Sequence, residues 1–326
     1  MELFTRVILS SIACKIAHKD AILLCGSCFA TNVGERLTQA KFNVCVNPSG
    51  VIYNPASIHD NLRQILQRKV YTENDLFEAD GQYHSFSHHS SFSSPDKEEA
   101  LQKMNAARAA ATVYLKKGAW LILTFGTAYV YKLKNENRIV ANCHKQPDIL
   151  FERSRMSIEA IIALWIPLME EIRRINPDIK FLFTVSPIRH RKDGLRENQL
   201  SKATLLLSVE ALEKHFDGCY YFPAYEIMND ELRDYRFYAE DMVHPSPLAI
   251  DYIWERFQSC LMDEDTQTSI REWQPICRAM EHRPFNPESE AYKKFLSQTL
   301  LKIEEHKRKF PYFDCGKEHG NNKGGF

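Results

Sequence analysis

The feature that most constrains this chain is an alternation. Short apolar runs at 21–25, 43–46, 119–125, 179–185 and 219–223 are separated by segments whose apolar residues recur at helical spacing. A run of that length, apolar at successive positions, is a strand covered on both faces. Strands that alternate with helices cross over and pair in parallel, which predicts an α/β fold: a three-layer α/β/α sandwich around a central parallel sheet. With 326 residues, 44% of them hydrophobic, the chain is long enough to bury one large core.

Helices are expected directly after Ser27, over 55–69, from Ser94 to about Lys117, along the stripe Ile158, Ile161, Trp165, Leu168 and Ile172, and at 201–216 and 246–261. Residues 71–93 read as irregular. The stretch 126–147 reads as a β-hairpin insertion, with YVYKL and RIVANC flanking a polar turn at 134–137. Near the N-terminus, VILSSIAC reads as a first strand; a lipoprotein signal ending at Cys14 is the rival, but its apolar stretch is short. Composition shifts near residue 262, so the expected organisation is a domain over 1–262 and a C-terminal helical extension over 263–326. The extension opens on an acidic linker, continues with Tyr292, Phe295, Leu296 and Ile303, and ends in HGNNKGGF, expected to be disordered. A lid over the site and a partner contact both stay open as its role.

Lys+Arg and Asp+Glu balance at 42 each, and the sequence pI is 7.2. This excludes a general attraction to nucleic acid or to an anionic membrane. No apolar run reaches membrane-spanning length. The 9 cysteines, without framework spacing, point to a reducing compartment, and the expected location is cytoplasmic. No cofactor is expected, and the oligomeric state is not legible.

In an open parallel sheet, ligands bind beyond the carboxyl ends of the strands. The rule gathers Ser27, the loop 47–54, Gly126-Thr127, the segment 186–190 and the chain after Pro223 on one rim. Ser27 stands in AILLCGSCFA, at the turn from a strand into a helix whose first N–H groups and dipole favour an anion. Plain helix capping is the alternative for it. Downstream, Asp241 and His244 are three apart, just ahead of the last core helix. In a tight turn, Asp241 can accept Nδ1–H of His244 and leave Nε2 to take the Ser27 proton, the division of labour of a catalytic triad. A capping carboxylate beside a surface histidine is the alternative for that pair.

The order Ser27, Gly50, Gly126 and Asp241-x-x-His244 resembles the SGNH (GDSL-like) hydrolase superfamily, and GSCFA at 26–30 looks like the signature of its GSCFA branch. NPSGVIYNP, TFGTAYVY, ANCHKQP, TVSPIRH and DELRDYRFYAEDMVHPS carry the similarity to about residue 260. The resemblance implies a serine esterase acting on an O-acyl group, such as acetyl, of a carbohydrate or small molecule. Ser27 would be the nucleophile, His244 the base and then the acid, and Asp241 the group that orients it. An O-acyltransferase would use the same site, with a sugar hydroxyl in place of water. The resemblance also implies an oxyanion hole from the backbone N–H groups of Ser27 and Gly50. The superfamily's third block carries Gly-x-Asn-Asp, whose Asn adds a donor; this chain reads Gly126-Thr127-Ala128-Tyr129 there. Thr127, Asn142 or Asn54 can fill that role.

Arg233 and Arg236 can grip a substrate anion, with an ion-pair network among Asp230, Glu231, Asp234 and Glu240 as the equal alternative. His144, Arg189 and His190 are further candidate substrate contacts. His84, His88, His89 and His144 lack the spacing of metal ligands, so no metal is expected. His88, His89 and Phe92 are read instead as part of a loop over the rim. Two rival functions remain. Cys25-Gly26-Ser27-Cys28 is a Cys-x-x-Cys at a helix start, as in redox proteins, but it leaves Asp241 and His244 without a task. A carbohydrate- or acyl-binding module with a decayed site rests only on the missing Gly-x-Asn-Asp.

Overall fold

The structure, a computed structural model, describes residues 5–10, 12–282 and 284–313; the end expected to be disordered, 319–326, lies outside them. The chain begins with β1 (Ala21–Gly26), α1 (Cys28–Gln39), β2 (Asn43–Val46) and α2 (Pro55–Leu66). A small hairpin, β3 (Phe77–Ala79) and β4 (Gln82–His84), precedes α3 (Lys97–Lys117) and β5 (Trp120–Phe125). Then come β6 (Tyr129–Leu133), β7 (Arg138–Val140), β8 (Phe151–Arg155), α4 (Ile158–Ile175), β9 (Lys180–Val185), α5 (Leu195–His215) and β10 (Cys219–Tyr221). One short turn, α6 (Ala224–Glu226), leads to α7 (Pro247–Leu261), α8 (Glu264–Glu281) and α9 (Glu290–Lys309).

The central sheet has the order β2-β1-β5-β9-β10, with every pairing parallel. This is a doubly wound order, and the winding reverses between β1 and β5. Successive strand residues enter opposite layers. Leu23, Cys25, Leu121, Leu123, Phe181 and Phe183 pack with α2, α3, α4 and α5. Ile22, Leu24, Trp120, Ile122 and Leu182 pack with α1 and α7. Both faces are covered, which is why the strands are apolar at nearly every position and why the expected three-layer sandwich forms.

Several local expectations are corrected. The 71–93 segment contains the β3–β4 hairpin, and the insertion is a three-stranded antiparallel sheet in which β8 pairs with β6. Helix α5 starts six residues before 201, at Leu195. The acidic stretch after 262 is no linker: Asp263 caps α8, and Glu264 and Asp265 sit in its first turn, where the helix dipole favours negative charge. The N-terminal VILSSIAC forms no strand among its described residues. Ile12 and Ile16 are buried in the α1/α7 layer, and Ile16 makes a single bridge to Met262.

Helices α8 and α9 share a core of their own, built from Trp273, Ile276, Ile303, Phe310 and Phe313. Trp273 Nε1 donates to Gln39 O at 3.0 Å, and His18 Nε2 to Ala40 O at 2.8 Å while its ring stacks on Phe313. Gln39 and Ala40 end α1, so this unit sits at the edge of the sheet opposite Ser27. Its contacts among the described residues with His18, Gln39 and Ala40 therefore lie away from Ser27. Among the described residues, no helix is long and apolar enough to cross a membrane.

Candidate active site

Strand β1 ends at Gly26 with φ +148°, where a Cβ would lie 2.3 Å from Thr124 O of β5; only glycine fits that turn. Asn47, at the end of β2, accepts the Gly26 N–H at 2.8 Å through Oδ1 and donates to Thr31 Oγ1 at 3.0 Å. The carboxyl ends of β1 and β2 are thereby tied together. Ser27 is the N-cap of α1: its Oγ accepts the Phe29 N–H at 3.3 Å, which leaves its own O–H free to donate. The residue is 3% exposed. Beside it lies a cavity of about 10 Å³ lined by Gly26, Asn47, Ser49, Gly50 and Asn61, room for one water.

The two backbone donors expected of an oxyanion hole do not stand free. Ser27 N–H donates to Thr124 O at 3.2 Å, and Gly50 N–H closes a turn onto Asn47 O at 2.7 Å. Gly50 has φ +78° and lies under His89, whose Cβ would be 2.3 Å from an added Cβ. His89 N–H in turn donates to Ser49 O at 2.9 Å, so the His88–His89 segment covers this part of the rim.

Asp241 and His244 form a closed turn. Asp241 Oδ1 accepts the N–H groups of Val243 and His244, each at 2.9 Å, and Oδ2 lies 2.5 Å from His244 Nδ1. These donors, the His244 backbone N–H first, hold the Asp241 carboxyl well below the usual carboxylate range. His244 Nε2 makes no hydrogen bond among the described residues, and the side chain is 50% exposed. Arg189 does not reach for a ligand: its Nη2 donates to Met242 O at 2.8 Å and its guanidinium lies 4.8 Å over the Tyr238 ring, clamping the turn.

Ser27 and His244 reach the same edge by a common route. Leu261 O, at the end of α7, accepts the Ile16 N–H at 2.6 Å, just ahead of β1. Helix α7 therefore runs back along the sheet as α1 does, and the two share one core layer and an Arg36–Asp251 ion pair. Their amino ends, which carry Ser27 and the turn holding His244, both lie at the carboxyl edge of the strands.

The remaining candidates are placed as follows. Thr127 Oγ1 is buried 3.0 Å from Ser201 Oγ and accepts the Tyr129 N–H at 3.2 Å, so it points into the fold rather than at an oxyanion. Asn54 caps α2 and uses Oδ1 and Nδ2 on Ser57. Asn142 Oδ1 accepts the His144 N–H at 2.8 Å. His144 Nε2 donates to the carbonyls of Ser85 (2.8 Å) and His88 (3.1 Å), pinning the covering loop from beneath. His88 is fully buried against Tyr71, and burial pushes it down to about 3. Arg233 and Arg236 are exposed, the latter 3.6 Å from Asp234 in a surface pair. None of these residues approaches Ser27 by a hydrogen bond.

His190 stays on the rim. Its ring lies 5.5 Å from that of Tyr53, and its Nε2 would be 3.3 Å from a Cβ on Gly126. Burial, then the cations Lys202 and Arg153, lowers it to about 4. Lys202 escaped the sequence reading: it is 1% exposed and donates to Gly126 O and Ser186 O, both at 2.7 Å, joining the carboxyl ends of β5 and β9. Its signal was a charge in phase with the buried stripe Asn198, Ser201, Leu205, Val209 and Leu212. Arg153 was also missed; its paired bonds to Asp193 fasten the insertion sheet to the loop carrying His190.

The Cys-x-x-Cys thiols run against redox use. Cys25 is buried in β1 and burial drives its thiol strongly upward, with Cys45 adding to the effect; Cys28, at the first position of α1, has an exposed side chain, yet the protein packed around its sulfur raises its thiol rather than lowering it. Dithiol exchange needs the opposite shift.

Fold and rim thus define a doubly wound α/β protein that carries a strand-end serine and an acid–histidine turn on one edge. The chain belongs to the GSCFA family, which it matches over residues 21–257. Residues 273–320 match a second description, GSCFA domain protein, C-terminal domain. Among solved structures, a family 3 carbohydrate esterase of Clostridium thermocellum is similar at 11% identity and a TM-score of 0.34, over 77% of this chain and 97% of that one. No curated protein matches the chain.

Proposed function

We propose that this protein is a serine hydrolase of the SGNH type that cleaves an ester, with Ser27 as nucleophile, His244 as general base and Asp241 as the carboxylate orienting it. The observation that carries the reading is the Asp241–His244 pair, with Oδ2 2.5 Å from Nδ1. A proton held on Nδ1 by a carboxylate leaves the lone pair on Nε2, the atom that makes no hydrogen bond among the described residues. Ser27 Oγ attacks the ester carbonyl carbon while its proton passes to His244 Nε2 and the carbonyl π pair moves onto oxygen. The same proton then goes to the departing alkoxide as the ester C–O bond breaks, and the acyl group stays on Ser27. Water, deprotonated by His244, releases the acid. A sugar hydroxyl in its place would make the protein an O-acyltransferase.

The substrate class we assign, an O-acyl group on a carbohydrate or small molecule, rests on the blocks around Ser27, Gly50 and Asp241-x-x-His244. The site lies within 1–262, and 263–326 serves as a C-terminal extension whose helices are α8 and α9. The test is labelling of the folded protein with a fluorophosphonate, the adduct being mapped by mass spectrometry. We expect label on Ser27 that disappears in Ser27→Ala and His244→Ala. Absence of label on folded wild-type protein, or label at full rate in His244→Ala, sinks the assignment.

A further inference from the structure

A tetrahedral oxyanion at Ser27 needs preorganised donors, and the structure leaves few. Gly50 N–H is turned onto Asn47 O, Thr127 Oγ1 is held between Ser201 Oγ and the Tyr129 N–H, Asn54 is spent on Ser57, and Asn142 is tied into its own turn by the His144 N–H on its Oδ1. Ala128, at the Asn position of the third block, has no polar side chain, and its N–H donates to Ser201 Oγ at 2.8 Å.

The side chain of His190, on this edge, is unengaged. Neither ring nitrogen of His190 makes a hydrogen bond among the described residues. The residue is fixed: its backbone N–H donates to Asn198 Oδ1 at 2.9 Å, and its ring rests on Tyr53. Its Nε2 faces Gly126, where any side chain would crowd it. Gly126 follows β5, the strand beside β1 across the reversal point, and Ser27 N–H already bonds to β5 at Thr124 O. The imidazole therefore stands over the end of β5 against Tyr53, and the neighbouring Ile52 N–H donates to Gly26 O at 3.2 Å at the end of β1, beside the place where the winding opens a crevice.

We propose that His190, through Nε2–H, donates the side-chain hydrogen bond to the oxyanion formed at Ser27, the task the missing Asn amide would perform. This rests on the reading of Ser27 as nucleophile. The proton balance is simple: His244 takes and returns the Ser27 proton, while His190 keeps its own and only donates. The surroundings suit a neutral donor. Lys202 of α5, Arg153 of β8 and His244 all disfavour a charge on the ring and only Asp193 favours one, so with burial it stays neutral down to about pH 4. A neutral imidazole polarises a carbonyl without adding a positive charge that would make the base at His244 harder to protonate.

The test compares wild type with His190→Ala, His190→Asn, His190→Phe and Ser27→Ala, using p-nitrophenyl acetate turnover and the rate of fluorophosphonate labelling, with thermal midpoints as a check on folding. Removal of one oxyanion donor lowers kcat by about 10²–10³-fold. We expect that loss in His190→Ala with KM within about twofold of wild type, and the same loss in His190→Phe, which keeps the ring on Tyr53 but has no N–H. His190→Asn, which restores an amide donor, should recover at least about tenfold over His190→Ala. The proposal is overturned if either donorless variant keeps kcat within about threefold of wild type, if the loss lies in KM, or if His190→Asn is no better than His190→Phe. Failure of the underlying reading shows elsewhere: Ser27→Ala would then turn over and label like wild type.

Discussion

The capping of α1 by Ser27 and its proposed role as nucleophile can be separated by measurement. As N-cap it holds the Phe29 N–H, and its loss to Ala should cost about 1 kcal/mol of stability, against a few tenths for Ser27→Gly. Reactivity should vanish equally in both. Gly26 is less forgiving. An Ala there must hold φ +148° with its Cβ 2.3 Å from Thr124 O, so we expect Gly26→Ala to lose at least about 2 kcal/mol and most labelling at Ser27, read from urea midpoints and label rate. The triad candidates were legible because their chemistry is local: Asp241 and His244 meet within one turn, and Ser27 announces itself by where an apolar run stops. The oxyanion donors were not. Thr127 reads as a free hydroxyl until Ser201, 74 residues away, is seen to hold it, and a spacing argument contains no information about such a partner.

At the scale of elements, the strands of the central sheet were legible from apolarity, whereas β8 was not. Its sequence, FERSR, buries only Phe151, because the insertion sheet has one face in water and no long apolar run. Helix α8 hid behind its own first turn, whose acidic residues resemble a linker until the dipole they serve is considered. Beyond the paired ends of β5 and β9, Lys202 bridges Gly126 O and Ser186 O. Burial lowers it to about 7 from 10.5, so between these values the unfolded chain binds a proton that the native protein lacks, and stability rises with pH across that window. From pH 7 to pH 9 this contributes about 2 kcal/mol. Lys202→Met should lack that rise, which urea midpoints at the two pH values would show; equal pH slopes in variant and wild type would contradict it.

Across the whole molecule, several buried or half-buried histidines share one liability. His88 is held at about 3 and His190 at about 4, and burial lowers His18, His144 and His306 as well. His88 and His190 stay neutral in the native protein well below pH 6.5, and each of the five binds a proton less readily than its unfolded counterpart, so stability falls as pH drops below that value. His88 alone should remove about 2 kcal/mol by pH 5. A urea midpoint unchanged between pH 7 and pH 5 would contradict this.

The contact between Trp273 and Gln39 has a mechanical meaning. Helix α1 is a rod of 12 residues, about 18 Å long. Its amino tip is Ser27, and its carbonyl tip is gripped by an indole from α8 and, through Ala40, by an imidazole that leans on Phe313. Whatever takes hold of the C-terminal helices takes hold of the end of the rod farthest from Ser27.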